Sequence, residues 1–162
     1  MRLFQQNCVR RSRSLDGVWD FRMEGFEKAY RLPVPGAFEQ HPDFMTYRGV
    51  GTYTKQLFLP EDTHVKLFFE GVSHTCDVFW DGRKIGHHYN AFTGFELIIP
   101  NQVSGKHKFE VVVDNRFSEA SSLHVPNDYY SYGGITRSVQ MEALSDLYVK
   151  QVHVTPICEN GL

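Results

Sequence analysis

The chain has 162 residues, 41% hydrophobic and 22% charged, with a formal charge of −2. That length builds one domain with its own core and no need of a disulfide scaffold, while 17 Lys and Arg against 19 Asp and Glu leave no basic footprint for nucleic acid. No apolar run reaches the ~18 residues of a membrane span, and three cysteines without zinc spacing, Cys8, Cys76 and Cys158, favour a reducing compartment, with cytoplasmic localisation as the expectation.

In chain order, residues 1–14 carry Arg2, Arg10, Arg11 and Arg13 with no apolar segment behind them of the kind a secretory leader needs. A solvated basic arm is expected there. Leu15 to Met23 reads as the first strand, with Leu15, Trp19 and Phe21 turned to the core. Gly25 to Tyr30 has room for one helical turn at most. Pro33-Val34-Pro35-Gly36 predicts an extended approach and a turn, because proline restricts itself and the residue before it. Strands follow over Thr52 to Leu59 and Val65 to Glu70. In Thr75 to Trp80, alternation puts Cys76, Val78 and Trp80 on one face. Asp81-Gly82 is the favoured pair for a two-residue hairpin turn, with Arg83 to Tyr89 as the returning strand. His87 and His88 then face opposite ways and make no metal pair.

Gly94 to Ile99 is a further strand, stopped by Pro100. Lys106 to Asp114 alternates most cleanly: Phe109, Val111 and Val113 face one way, Lys108, Glu110, Val112 and Asp114 the other. Asn115 to Gly134 breaks the rhythm as one long loop. Such loops in small domains are commonly functional, and Tyr129, Tyr130 and Tyr132 argue against disorder. Ile135, Val139 and Met141 share a face with Arg137, and Leu147 to Thr155, ending at Pro156, reads as a last strand. Eight to ten short antiparallel strands make an all-β sandwich or jelly roll.

The chemistry is sparse. There is no phosphate loop, nucleophile elbow or zinc set, and nothing calls for a cofactor or metal. Glycoside hydrolysis needs two carboxylates about 5 to 9 Å apart, and Glu110, Glu142 and the Glu61-Asp62 turn sit in ordinary places. Asp128 stands out, in Asn127-Asp128-Tyr129-Tyr130-Ser131-Tyr132-Gly133-Gly134. A carboxylate accepts from sugar hydroxyls, and tyrosines add flat apolar faces and O–H donors. The same loop could instead cover the end of the sandwich, with Asp128 capping a turn. Trp80 could be a sugar platform, though its parity favours the core. Arg137 reads inward, where it would need an ion-pair partner. Asn115 ends a strand and would satisfy turn backbone groups. Gly133 and Gly134 suggest tight backbone or close approach.

A series of motifs resembles the N-terminal jelly-roll, galactose-binding-like domain of family 2 glycoside hydrolases, which include β-glucuronidases and β-galactosidases. They are Leu15-Asp-Gly-Val-Trp-Asp-Phe21, Val34-Pro-Gly-Ala-Phe38, Gly51-Thr-Tyr-Thr-Lys55, Phe69-Glu-Gly-Val-Ser-His74 and Val78-Phe-Trp-Asp-Gly-Arg-Lys-Ile-Gly86. His88-Tyr-Asn-Ala-Phe-Thr-Gly-Phe95 comes next, before Glu96. Val113-Asp-Asn115 and Tyr132-Gly-Gly-Ile-Thr-Arg-Ser-Val139 complete the order. The resemblance implies a jelly-roll domain over residues 15–156, with residues 157–162 opening a linker to an immunoglobulin-like domain and a TIM barrel. It implies that Asp128, with Asn127, Tyr129 and Tyr130, helps bind the terminal sugar of a β-glycoside, while the barrel supplies both catalytic glutamates. Asn127 stands where glucuronidases have histidine, and Ser131 where asparagine is common. By itself the chain is then expected to fold and not to hydrolyse anything, with a homo-oligomer as a further expectation for the parent. An independent carbohydrate-binding module and a purely architectural domain are the competing expectations.

Overall fold

The computed structural model describes residues 11–150 and 152–156. Alternating apolar and polar side chains produce ten strands: β1 (Arg11–Ser14), β2 (Gly17–Met23), β3 (Ala29–Val34), β4 (Val50–Leu59), β5 (Thr63–Phe69), β6 (Thr75–Trp80), β7 (Arg83–His88), β8 (Phe95–Gln102), β9 (Gly105–Asp114) and β10 (Val139–Leu144). Two single 3₁₀ turns, Phe38–Gln40 and Pro42–Phe44, bridge β3 and β4. The strands form a four-stranded sheet, β1-β10-β5-β8, and a six-stranded sheet, β3-β2-β4-β9-β6-β7. All neighbouring strands run antiparallel. The expected all-β antiparallel sandwich is the fold.

Period-2 alternation explains which side chains fill the space between the sheets. Phe109, Val111 and Val113 of β9 are buried, as are Cys76, Val78 and Trp80 of β6. Leu15, Trp19 and Phe21 join them, and the Trp19 indole N–H donates to the Leu15 carbonyl at 2.8 Å. Rings dominate: Trp19 lies 5.4 Å from Phe109, and Phe21 4.7 Å from Tyr53. Burial pushes the Cys76 thiol up to about 12, which makes it an inert core residue. Cys8 and Cys158 lie outside the described residues.

Four expectations need correction. Where one helical turn at most was allowed, Gly25 takes φ +81° in a tight turn and Ala29–Val34 forms the unforeseen β3. Pro33 is tolerated within a strand because β3 is a sheet edge, paired only with β2, so no ladder donor is missed. The basic arm is shorter than expected, since Arg11–Ser14 pairs with β10, from Arg11 opposite Ala143 to Ser14 opposite Gln140; residues 1–10 lie outside the described residues. The last strand does not form among described residues 147–150 and 152–156. Leu147 is 92% exposed and Val154 79%, because the alternation there meets no neighbouring strand to pair with. Finally, Arg137 is exposed rather than inward. β10 begins only at Val139, so the alternation does not extend back to position 137, and no ion pair involving Arg137 occurs among the described residues.

The Asp81-Gly82 hairpin adds a contact that turn propensity does not foresee. Asp81 (φ +49°) and Gly82 (φ +79°) take the left-handed conformations such a turn requires. The Asp81 carboxylate then reaches across to β9, accepting from the Lys108 backbone N–H and the His107 Nδ1, each at 2.7 Å. Partial burial opposes ionisation, but these donors outweigh it and hold the carboxyl below its ordinary range. Asp81→Ala is expected to cost about 1 kcal/mol, since the site is half exposed. Urea unfolding checks this, and an unchanged midpoint would show the bridge to be idle.

Candidate functional site

The Asn115–Gly134 segment links β9 in one sheet to β10 in the other, and so crosses the end of the sandwich. It contains no strand or helix. Its closing glycines are stitched down: Ser73 and Gly134 exchange two backbone bonds, at 2.9 and 2.7 Å, and Phe38 N–H donates to the Gly133 carbonyl at 3.0 Å. Both glycines are required here. A Cβ on Gly133 would lie 2.4 Å from Asn115 Cβ and 2.5 Å from Phe38 Cζ. Gly134 has φ +129°, and a Cβ there would sit 2.7 Å from the Gly36 carbonyl oxygen. The expectation of close approach holds at both.

Beneath the loop lies a buried polar network. Asn115, fully buried, accepts from the Gly49 N–H at 2.7 Å and donates through Nδ2 to Glu39 Oε1 at 2.9 Å and to the Tyr47 carbonyl at 3.1 Å. It satisfies backbone groups as expected, and a carboxylate as well. Glu39, on the first 3₁₀ turn, also accepts from Gly133 N–H at 2.8 and 3.0 Å. Burial raises its carboxyl above the ordinary 4.5, against the lowering effect of those donors and of Arg48. Arg48 Nη1 meets the carbonyls of Ser131 at 2.7 Å and Asn115 at 3.2 Å, and His74 Nε2 at 3.3 Å. Its guanidinium carbon stands 4.6 Å from the Phe117 ring centroid and 4.8 Å from that of Tyr130.

Above this base the side chains point outward. Asn127, Asp128, Tyr129, Tyr130 and Tyr132 are all exposed. Tyr129 at 56% and Tyr132 at 53% cover little of the core. Tyr130 donates to the Met45 carbonyl at 3.3 Å and lies 4.7 Å from Tyr132. Asp128 has no hydrogen-bond or ion-pair partner among the described residues, so its carboxylate lone pairs are open to an incoming donor. A depression of about 430 Å³ adjoins Tyr132, bounded by Pro35, Gly36, Ala37, Gln40 and Thr136. Trp80, by contrast, is a core residue at 3% exposure, stacked 5.0 Å from His107. His87 and His88 diverge as expected: one bonds Asp77 at 2.7 Å, the other stacks 4.1 Å from Phe95. Among the described residues no three His, Cys, Asp or Glu side chains gather in a way that could hold a metal ion.

His74 makes the network pH-sensitive. Burial first, then the neighbouring Arg48 charge, holds its imidazole below the ordinary 6.5. A folded-state value below the unfolded one means that stability is fully present above about pH 6.5 and is lost as pH falls through the folded value. Glu39, shifted upward, runs in the opposite sense. The expected result is that Tm of the wild-type chain falls more between pH 7 and pH 5 than Tm of His74→Leu. Parallel pH profiles would exclude His74 as the cause.

The family comparison fits this geometry. The model of the "Glycosyl hydrolases family 2, sugar binding domain" matches residues 20–144. The chain belongs to that family. A family 2 β-galacturonidase from Eisenbergiella tayi, solved with galacturonate bound, is 40% identical; the match has a TM-score of 0.82 and covers 90% of this chain and 26% of that one. A β-glucuronidase of Bacteroides fragilis is 34% identical over 78% of this chain, and a β-galactosidase of Thermoanaerobacter pseudethanolicus 29% over 83%. The chain spans 20% and 19% of the lengths of those two relatives.

In this family 2 domain, sequence reasoning reached the loop and missed its base. Glu39, Arg48 and His74 come from distant parts of the chain, and only the sandwich brings them under Asn115. One signal was available: Glu39 sits in an aromatic stretch between Phe38 and Phe44, both fully buried, where an acidic side chain needs donors.

Proposed function

We propose that this family 2 domain is the non-catalytic N-terminal part of a larger retaining β-glycosidase, to whose sugar pocket it supplies the Asp128 loop. The observation that carries the reading is an unpartnered carboxylate among exposed tyrosines, on a loop whose base is held by the buried side chains of Asn115 and Glu39. Loops set on a rigid sheet are where ligand contacts concentrate. Much of the acidic complement is otherwise engaged: Asp77 with Lys84, Glu96 with Lys66, Glu110 with Lys108, Asp114 with Arg116. A retaining carboxylate pair would therefore come from further domains, an immunoglobulin-like sandwich and a TIM barrel. The greater length of the relatives supports that arrangement, and other faces of the sandwich would hold those domains or a second subunit.

The substrate class that the similar proteins favour is a terminal β-uronide. The E. tayi protein at 40% identity is described as a β-galacturonidase bound to galacturonate, and B. fragilis adds a β-glucuronidase. Choice between a C6 carboxylate and a C6 hydroxyl would rest with the catalytic domain.

The exposed tyrosines also favour a second reading, an independent carbohydrate-binding module. Calorimetric titration of this chain with galacturonate and glucuronate separates the two. Half of a split pocket binds too weakly to measure, so absence of heat is expected, with loss of activity for Asp128→Ala in the full-length enzyme. Clear saturation by a free sugar, with an unaffected Asp128→Ala enzyme, would establish the module instead.

A further inference from the structure

We propose that Arg48 is the positioning residue of the sugar-contacting loop, fastening its two ends together and fixing the approach of Tyr130 and, through it, Asp128. The inference rests on the assignment of Asp128 to the sugar pocket, and it adds how that carboxylate is aimed.

The argument begins with chain geometry. Asn115 and Ser131 are sixteen residues apart, yet both their carbonyls accept from the same nitrogen, Arg48 Nη1. A flexible loop of this size pays closure entropy, and a single charged donor shared by both ends offsets it with charge-assisted hydrogen bonds. The side chains next to those anchor points, Phe117 and Tyr130, each bring a ring to within 5 Å of the guanidinium carbon. Arg48 therefore holds residues 115, 117, 130 and 131, two at either end of the loop, while Asp128 lies only two residues from Tyr130. Glu39 grips Gly133 and Asn115 nearby, but it touches neither ring. His74 also meets the Phe117 ring, and Tyr132 and the Met45 carbonyl meet Tyr130, but Arg48 is the described residue that faces both rings and both carbonyls.

Lysine fills this role only in part. Its ammonium can donate to both carbonyls, but it has no planar, delocalised face to lie against two rings at once. Shifts of about 1 Å in a substrate-positioning group can cost 10²-fold in rate, so a loosened loop should show in catalysis before it shows in folding.

The test is a double-mutant cycle in the full-length enzyme on an aryl β-uronide, with Arg48→Met, Asp128→Ala and the pair. Arg48→Met is expected to lower kcat/KM about tenfold or more in the wild-type background, and less than about threefold where Asp128 is already alanine. Equal losses in both backgrounds, or none in either, would overturn the proposal. Arg48→Lys is expected to recover only part of the loss; full recovery would overturn the argument from the planar face, and this variant also serves if Arg48→Met does not fold. Should Asp128→Ala itself be silent, the pocket assignment fails rather than the fastening. Hydrogen exchange over residues 116–130 of this chain then decides: faster exchange in Arg48→Met supports the role, and unchanged exchange refutes it.

Discussion

Full-length enzyme carrying Asp128→Ala is expected to lose about 10²-fold in kcat/KM while keeping the Tm of the wild type. The magnitude follows from the chemistry of the contact. A carboxylate accepting from sugar hydroxyls in a pocket closed to water makes charge-assisted bonds of about 1.5–3 kcal/mol, and two orders of magnitude correspond to about 2.7 kcal/mol. The unchanged Tm follows from the position. Asp128 is exposed and has no partner among the described residues, so its removal leaves no buried group unsatisfied. Asp128→Asn should fall between the two, because the amide keeps one acceptor and loses the charge. Steady-state kinetics with differential scanning fluorimetry on the same preparations checks both halves. A change of less than threefold would remove Asp128 from the pocket.

Asn115→Ala should show the reverse pattern, a structural loss centred on the loop base. Its side chain is fully buried and serves three partners, the Gly49 N–H, Glu39 and the Tyr47 carbonyl. Truncation leaves a backbone donor without its partner and a buried carboxylate without one of its own. Each orphaned group costs about 1–3 kcal/mol, so a total of about 3–4 kcal/mol is expected. For a domain of this size that lowers Tm by about 10 °C. Thermal unfolding of the 162-residue chain provides the measurement. A shift of only 1–2 °C would mean that water replaces the amide without loss, and that the network is a by-product of packing.

The two substitutions mark where the sequence was readable and where it was not. β4, β5, β6 and β9 follow their alternation because each contributes one face to the core and has a partner at hand, whereas β8 runs past Pro100, expected to stop it, to Gln102. Leu147 to Thr155 alternates only with a change of phase, from Leu147 and Val149 to Val152 and Val154, and its described residues form no strand, because pairing is a property of the neighbour as much as of the segment. β3 hid behind Pro33, which forbids a central strand but not an edge. Arg137 looked inward only while the β10 register was extended backwards past Val139. The same limit applies to the site. Asp128 and its tyrosines stand side by side in sequence, so their chemistry could be read directly. Asn115 was legible from its place at a strand end and Glu39 left a faint sign between buried aromatics, but the contacts that join them to Arg48 and His74 span up to 94 residues, and no local pattern announces those.

The fastening of the Asn115–Gly134 loop at its base has an evolutionary consequence. Ser121 and Leu123 are buried and Ser122 bonds to Tyr89 and Ala91, so with both ends pinned as well, the exposed tip from Val125 to Asp128 is the part whose composition can drift at small cost to folding. Selection can then reshape what the tip touches while the scaffold beneath stays constant. What the tip touches and how stable the fold is become separately adjustable traits, divided at Arg48 and Asn115.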